Sequence, residues 1–97
     1  MSKLLKIFLF VSFVVSPFAA SAVTVASWGG AYTESQIKAY VDTYSDPGSI
    51  QFENYNGGLG EVRAQVESGN VTWDVVDVLP DQAITGCDEG LFEDISP

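Results

Sequence analysis

The 97-residue chain has no histidine, one cysteine, and only four lysine and arginine residues. It also lacks a G-x-S-x-G motif and any group of acids or cysteines at metal-ligand spacing, so the common catalytic and metal-binding patterns are missing. Nucleic acid and anionic membrane surfaces are excluded as partners, because binding them depends on basic residues that release counterions. The sequence therefore predicts a protein that is not an enzyme and that needs no cofactor or metal.

The first 22 residues have the pattern of an export signal. Two lysines open this stretch, residues 7–15 are apolar at every position but one, and Ala20-Ser21-Ala22 matches an A-x-A cleavage site. Such an apolar run is too short for a transmembrane helix, which takes roughly 20 residues. We therefore expect a signal peptide over residues 1–22 and, after its cleavage, an exported protein that is not inserted in the membrane.

The expected mature segment, residues 23–97, is strongly acidic. Residues 1–22 hold two of the four basic residues and no acid, so two basic side chains stand against 13 acids and the formal charge is −11. A cationic or neutral ligand suits such a chain better than an anionic one. The odd cysteine, Cys87, indicates a partner outside the chain or a free thiol, and this suggests a fragment of a longer protein.

Segments rich in β-branched residues alternate with segments of helical periodicity. The predicted elements are strands over 23–27, 50–55 and 74–79, and helices that begin near Thr33, Leu59 and Asp81, the second of which closes at Gly69. This βαβαβα order predicts an α/β fold with parallel strands and right-handed crossovers. No linker or internal repeat divides residues 23–97, which are therefore predicted to form one partial α/β domain.

Spacing within these elements predicts helix starts and buried faces. Thr33 and Gln36 stand at capping-box distance, so the first helix is expected to start there, with Tyr40 and Tyr44 on its buried stripe. The valine-rich third strand is expected to be buried on both faces. Asp81 is expected to cap the third helix.

The candidate site follows from the topology, because ligands of open parallel sheets bind beyond the carboxyl ends of the strands. Three loops meet that condition, at 27–32, 55–58 and 77–82. The predicted ligand-binding residues are Ser27, Trp28, Gly29, Gly30, Tyr32, Tyr55, Asn56, Gly57, Asp77, Leu79 and Asp81. Aromatic faces together with carboxylates suit an ammonium or guanidinium group.

Several of these residues have a structural alternative. Trp28 could pack in the interior, and Asp77 could accept hydrogen bonds from the amides of a neighbouring loop. The glycine-rich stretch 56–60 precedes a helix but lacks the Gly-Lys-Ser/Thr of a phosphate loop, so nucleotide binding is not expected. The helix N-terminus that follows could still hold the carboxylate of a zwitterionic ligand.

Four motifs occur in order along the chain: SWGGAY at 27–32, YNGG at 55–58, GNVTWDVVD at 69–77 and GCDEGL at 86–91. This set resembles the periplasmic solute-binding proteins of ABC transporters, and within them the spermidine/putrescine-binding branch. The resemblance implies a two-lobed type II binding protein whose first lobe starts with this chain. It also implies a small cationic solute such as a polyamine as ligand, and a membrane permease as partner.

The resemblance assigns roles to individual residues. Trp28 would line the amine cleft, with Tyr32 at its edge, and the loop 78–82 would contribute further contacts. Cys87 would form half of a disulfide whose partner lies outside the chain. The residues of that loop, among them Leu79, differ from the hydroxyl residues and tyrosine of better-understood polyamine binders, which leaves other small cationic or zwitterionic solutes open.

A second hypothesis is an extracytoplasmic α/β enzyme whose catalytic residues lie beyond Pro97. It depends on the same topology, since a fold does not determine a function.

Overall fold

A computed structural model describes residues 22–97 of the chain. The elements in order are β1 (Val23–Ser27), α1 (Gly30–Gln36), a π-helical turn (Ile37–Val41), a 3₁₀ turn (Pro47–Ser49), β2 (Ile50–Asn54), α2 (Gly60–Ser68), β3 (Val75–Val76) and α3 (Pro80–Asp88). The predicted alternation of strands and helices is confirmed. Apart from Ala22, the expected signal peptide lies outside the described residues.

The three strands form one parallel sheet in the order β2-β1-β3. β1 is central, with Ser27 opposite Asn54 of β2 and Ala26 opposite Val76 of β3. Because all three strands run the same way, their carboxyl ends reach the same edge of the sheet. The predicted α/β fold with parallel strands is thus confirmed, and the loops after the strands start side by side.

The core of the described part lies around the central strand and the start of α2. Its buried apolar side chains are Ala26, Val41, Tyr55, Leu59 and Val62. Gly69 ends α2 in the left-handed conformation, as its place in the sequence predicts. No helix within residues 22–97 has the length and apolar character needed to cross a membrane.

Helices α2 and α3 are joined by an ion pair at the surface. The Arg63 guanidinium donates to both carboxylate oxygens of Glu89, at 3.1 Å and 2.7 Å. Hydrogen bonding to Glu89, and then its charge, raises the pKa of Arg63. The pair is exposed to solvent, so it orients the two helices more than it stabilises them.

The third strand differs from the prediction. β3 contains only two residues, Val75 and Val76, and it is an edge strand that pairs with β1 alone. Val75 is 51% exposed, so the expectation of burial on both faces is wrong. A run of valines indicates a strand, but burial also requires a neighbour on each side and a layer over each face.

The first helix also starts and continues differently. It begins at Gly30, three residues before Thr33, so the expected capping box with Gln36 is wrong. After Gln36 the backbone widens into the π-helical turn, which changes the angle between successive side chains. Val41 stays buried, whereas Tyr40 and Tyr44 are exposed rather than part of the core.

Candidate functional site

The loops that follow the three strands meet around a small pocket of about 240 Å³, called here the strand-end pocket. Its lining residues are Trp28 from the first loop, Asn56, Gly57 and Gly58 from the second, and Leu79 and Gln82 from the third. Four of these six belong to the predicted site: Trp28, Asn56, Gly57 and Leu79. The structure therefore brings residues distant in sequence into one cavity.

A sharp turn at Gly29 carries the chain from β1 into α1. Gly29 has φ 82° and ψ −175°, a conformation open essentially to glycine alone. A Cβ atom there would also lie 3.2 Å from Cγ of Asn54. The Gly29 N–H donates to Oγ1 of Thr33 at 2.8 Å, and that hydroxyl donates to Oδ1 of Asn54 at 3.3 Å. These contacts hold the first loop against the end of β2.

Trp28 stands at the edge of the strand-end pocket with 36% of its surface exposed. Its ring stacks on that of Tyr32, with centroids 5.0 Å apart and an interplanar angle of 27°. Gly57 approaches from the second loop, where a Cβ atom would be 3.7 Å from Nε1 of Trp28. The indole is therefore supported on one side and open to solvent on another, so Trp28 is not packed in the interior.

Tyr55 lies beneath the second loop instead of lining the pocket. It is only 5% exposed, its N–H donates to the Ser27 carbonyl at 2.8 Å, and its hydroxyl donates to the Asp77 carbonyl. The ring packs against Trp73, with centroids 5.1 Å apart. Tyr55 thus connects the ends of all three strands from below.

The third loop is held by Gln82 at the start of α3. The Oε1 of Gln82 accepts a hydrogen bond from the Leu79 N–H at 2.9 Å, which satisfies a donor at the helix start. Asp81 lies in the first turn, is exposed and does not line the pocket. The prediction that Asp81 caps the helix is therefore wrong, because Leu79 is the N-cap and Gln82 supplies the acceptor.

Asp77 is engaged by two side chains behind the pocket, a set called here the Asp77 network. Oδ2 of Asp77 accepts hydrogen bonds from Nε2 of Gln36 at 2.5 Å and from the Ser27 hydroxyl at 3.0 Å. The same hydroxyl lies 2.6 Å from Oε1 of Gln36. Ser27 is completely buried. The acceptor role expected for Asp77 is present, but its partners are side chains instead of the loop amides.

We expect Asp77→Ala to lower the free energy of unfolding by about 1 kcal/mol, because Gln36 loses its acceptor in a partly buried place. Asp81→Ala is the matched control, since it removes the same charge from an exposed side chain and should change stability by less than half as much. Urea denaturation of both variants measures the difference. Equal effects of the two substitutions would show that the Asp77 network does not hold the loops.

The predicted site residues thus divide into two groups. Those that do not line the strand-end pocket are Ser27, Gly29, Gly30, Tyr32, Tyr55, Asp77 and Asp81. Gly58 and Gln82 also line the pocket; they lie in the predicted strand-end loops 55–58 and 77–82 but were not among the predicted ligand-binding residues. Pro80 is a residue type favoured at the first position of a helix, which places Gln82 at the third position, and that signal could have identified it.

The lining of the strand-end pocket carries no formal charge. Its polar groups are the amide side chains of Asn56 and Gln82, the indole N–H of Trp28 and the loop backbone. Within residues 22–97 no group of three or more acids and cysteines is arranged to hold a metal ion. The described part of the cavity therefore offers hydrogen bonds and an aromatic face, and no nucleophile or general base.

A larger groove of about 770 Å³ runs along the open edge of β3, between α2 and the segment after α3. Its lining is mostly apolar and includes Val66, Val75 and Phe92. None of the predicted site residues reaches it.

No known protein-family profile matches the chain. Over 80 residues the chain is 41% identical to the gamma-aminobutyric acid-binding protein of Pseudomonas aeruginosa. The alignment covers 80% of this chain and 23% of that protein. The chain therefore spans about a quarter of the length of the relative that it matches.

Proposed function

We propose that the protein is the extracytoplasmic solute-binding receptor of an ABC importer, and that it binds a small amine whose other end carries a carboxylate. γ-Aminobutyric acid is the first candidate ligand. The observation that carries the proposal is the strand-end pocket, where loops from three parallel strands place an exposed indole beside two amide side chains. The similarity to a γ-aminobutyric acid-binding protein supports the same class of solute.

The role implies a location and partners. The expected signal peptide, residues 1–22, would export the chain to the periplasm, and a membrane permease would receive the solute. We place residues 23–97 in the first of two lobes, and Cys87, which is exposed, would pair with a cysteine outside this chain. The strand-end pocket would then form one wall of the cleft between the lobes.

The ammonium end of the ligand fits Trp28. An ammonium placed over an indole face gains about 0.5–1 kcal/mol where water has access, and about 2 kcal/mol or more where it is excluded. Tyr32 stacks on this indole and holds its orientation, so little side-chain entropy is lost on binding.

A zwitterion suits the strand-end pocket better than the polyamine that the sequence suggested. Spermidine and putrescine carry an ammonium at both ends, and each end needs an acceptor or a carboxylate. The Asp77 carboxylate is engaged by Ser27 and Gln36, and that of Asp81 lies outside the lining.

The enzyme hypothesis has no observation in its favour. Among the described residues, those that line the strand-end pocket include no nucleophile or general base. The relative bears the name of a binding protein.

Isothermal titration of the full-length protein with γ-aminobutyric acid, putrescine and spermidine tests the proposal. We expect saturable binding of γ-aminobutyric acid, with putrescine and spermidine weaker. Glutamate, which carries a second carboxylate, serves as the anionic control and should not bind. Absence of binding across the three amines would overturn the proposal, and preference for spermidine would restore the polyamine hypothesis.

A further inference from the structure

We infer that Gln82 is the residue that selects a zwitterionic amine over a diamine, by donating a hydrogen bond from its side-chain amide to the ligand carboxylate. The inference rests on the proposed function, because it concerns the ligand of the same pocket. It assigns a specificity role to a residue for which the sequence predicted only a place in the loop 78–82.

The orientation of the Gln82 amide follows from its hydrogen bond to the backbone. A backbone N–H can only donate, so the atom that meets the Leu79 N–H at 2.9 Å must be the side-chain oxygen. The nitrogen, Nε2, is then the end left over. Among residues 22–97 no protein acceptor receives a hydrogen bond from it, although Gln82 lines the strand-end pocket.

With Nε2 free, the Gln82 side of the strand-end pocket offers hydrogen-bond donors only. It presents N–H donors, which a carboxylate can accept and an ammonium cannot, since an ammonium carries donors only. Trp28 also lines the pocket, and its electron-rich face attracts the ammonium instead of the carboxylate. A ligand with one ammonium and one carboxylate satisfies both groups, whereas a diamine leaves the Gln82 donors without a partner.

The substitution Gln82→Glu isolates this property. Glutamate has the same shape, and one of its oxygens can still accept the Leu79 N–H, so the start of α3 is retained. The other oxygen replaces the donor with a charged acceptor. The variant therefore changes the polarity that the pocket offers at this point while preserving its shape.

The ligand pair for the test is γ-aminobutyric acid and putrescine, which have the same number of carbons and differ in having a carboxylate or a second ammonium at one end. For Gln82→Glu we expect γ-aminobutyric acid to bind about tenfold more weakly and putrescine several-fold more tightly, because hydrogen bonds to charged groups are the stronger ones. Isothermal titration of both ligands against wild type and variant gives the ratio of the two dissociation constants.

Gln65→Glu is the matched control. Oε1 of Gln65 also accepts backbone hydrogen bonds, from Thr72 at 3.0 Å and from Trp73 at 3.2 Å, but Gln65 does not line the strand-end pocket. It adds the same charge by the same isosteric change. We expect both affinities of this variant to stay within about twofold of wild type, since a half-buried charge outside the site acts on the ligand only through a partly screened field.

The outcomes separate this inference from the proposed function. If wild type binds γ-aminobutyric acid and Gln82→Glu leaves the ratio unchanged, or weakens both ligands equally, the role of Gln82 is wrong and the receptor proposal stands. If wild type binds neither ligand, both are wrong. Should Gln82→Glu fail to fold in a thermal melt, Gln82→Met keeps the length and removes the donor together with the acceptor of the Leu79 N–H. Because the loss of that acceptor weakens both ligands, the ratio of the two dissociation constants is the readout. γ-Aminobutyric acid should lose more affinity than putrescine, and equal weakening of both would overturn the inference.

Discussion

Trp28→Ala should weaken the binding of γ-aminobutyric acid by about 10–30-fold, the largest effect that we expect from a change in the strand-end pocket. A cation–π contact in a partly enclosed site is worth up to about 2 kcal/mol, and each 1.4 kcal/mol changes affinity about tenfold. The loss should be similar for any ligand that carries an ammonium. Titration of the full-length variant provides the dissociation constant.

Two control variants test whether the effect comes from the aromatic face of Trp28. Trp28→Phe retains a smaller aromatic face and should bind within about fivefold of wild type. Tyr40→Ala removes an exposed aromatic ring that does not line the pocket, and it should leave affinity unchanged. If Trp28→Ala binds as tightly as Tyr40→Ala, the ammonium does not lie on the indole and the proposed ligand orientation is wrong.

Fluorescence offers an independent measurement of the same contact. The chain contains two tryptophans, and only Trp28 lines the strand-end pocket, since Trp73 packs against Tyr55. Ligand binding should therefore change the emission of wild type, and the change should be smaller for Trp28→Phe. An unchanged signal in wild type at saturating ligand would contradict a contact with the indole.

The sequence predicted the parts of the fold that depend on local pattern and on chain order. β1 occupies the predicted residues 23–27, and Gly69 closes α2 as predicted. The meeting of the three strand-end loops was also predictable, because parallel strands must deliver their carboxyl ends to one edge of the sheet. These features need no knowledge of which side chains touch.

Features that depend on distant partners could not be predicted in this way. The capping-box pair Thr33 and Gln36 lies inside α1, whereas the N-cap of α3 is Leu79, whose side chain has no acceptor, and only Gln82 contributes a hydrogen bond to the helix start. The glycine turn starts α1 earlier, so Thr33 and Gln36 lie within the helix. There they bond to Asn54 and to Asp77, partners contributed by other parts of the chain.

The acidic composition correctly indicated a negative net charge, but it did not indicate where the carboxylates lie. It suggested carboxylates at the ligand, and Asp77 was the most unusual acid in the sequence. In the structure its carboxylate fastens the third loop to Ser27 and Gln36, and the pocket lining carries no acid. Composition predicts the sign of the overall field, whereas the polarity inside a cavity depends on a few hydrogen bonds such as that of Gln82.

Gly86→Ala should lower the free energy of unfolding by up to about 2 kcal/mol, although alanine is normally the better helix former. Gly86 is buried in α3, and a Cβ atom there would lie 2.8 Å from Cδ2 and from Cζ of Phe92, and nearer still to Cε2. Relief of these contacts requires the whole ring to move, which is the usual cost of overpacking. That cost exceeds the gain in helix propensity, which is about 1 kcal/mol.

Gly60→Ala is the control that separates packing from propensity. Gly60 starts α2, and a Cβ atom there would meet no other atom within 4 Å, so this variant should be as stable as wild type or slightly more stable. Urea denaturation of the two variants should therefore shift the midpoint in opposite directions, or shift it only for Gly86→Ala. If both variants are stabilised, Phe92 does not pack on Gly86, and the segment after α3 is not held against that helix.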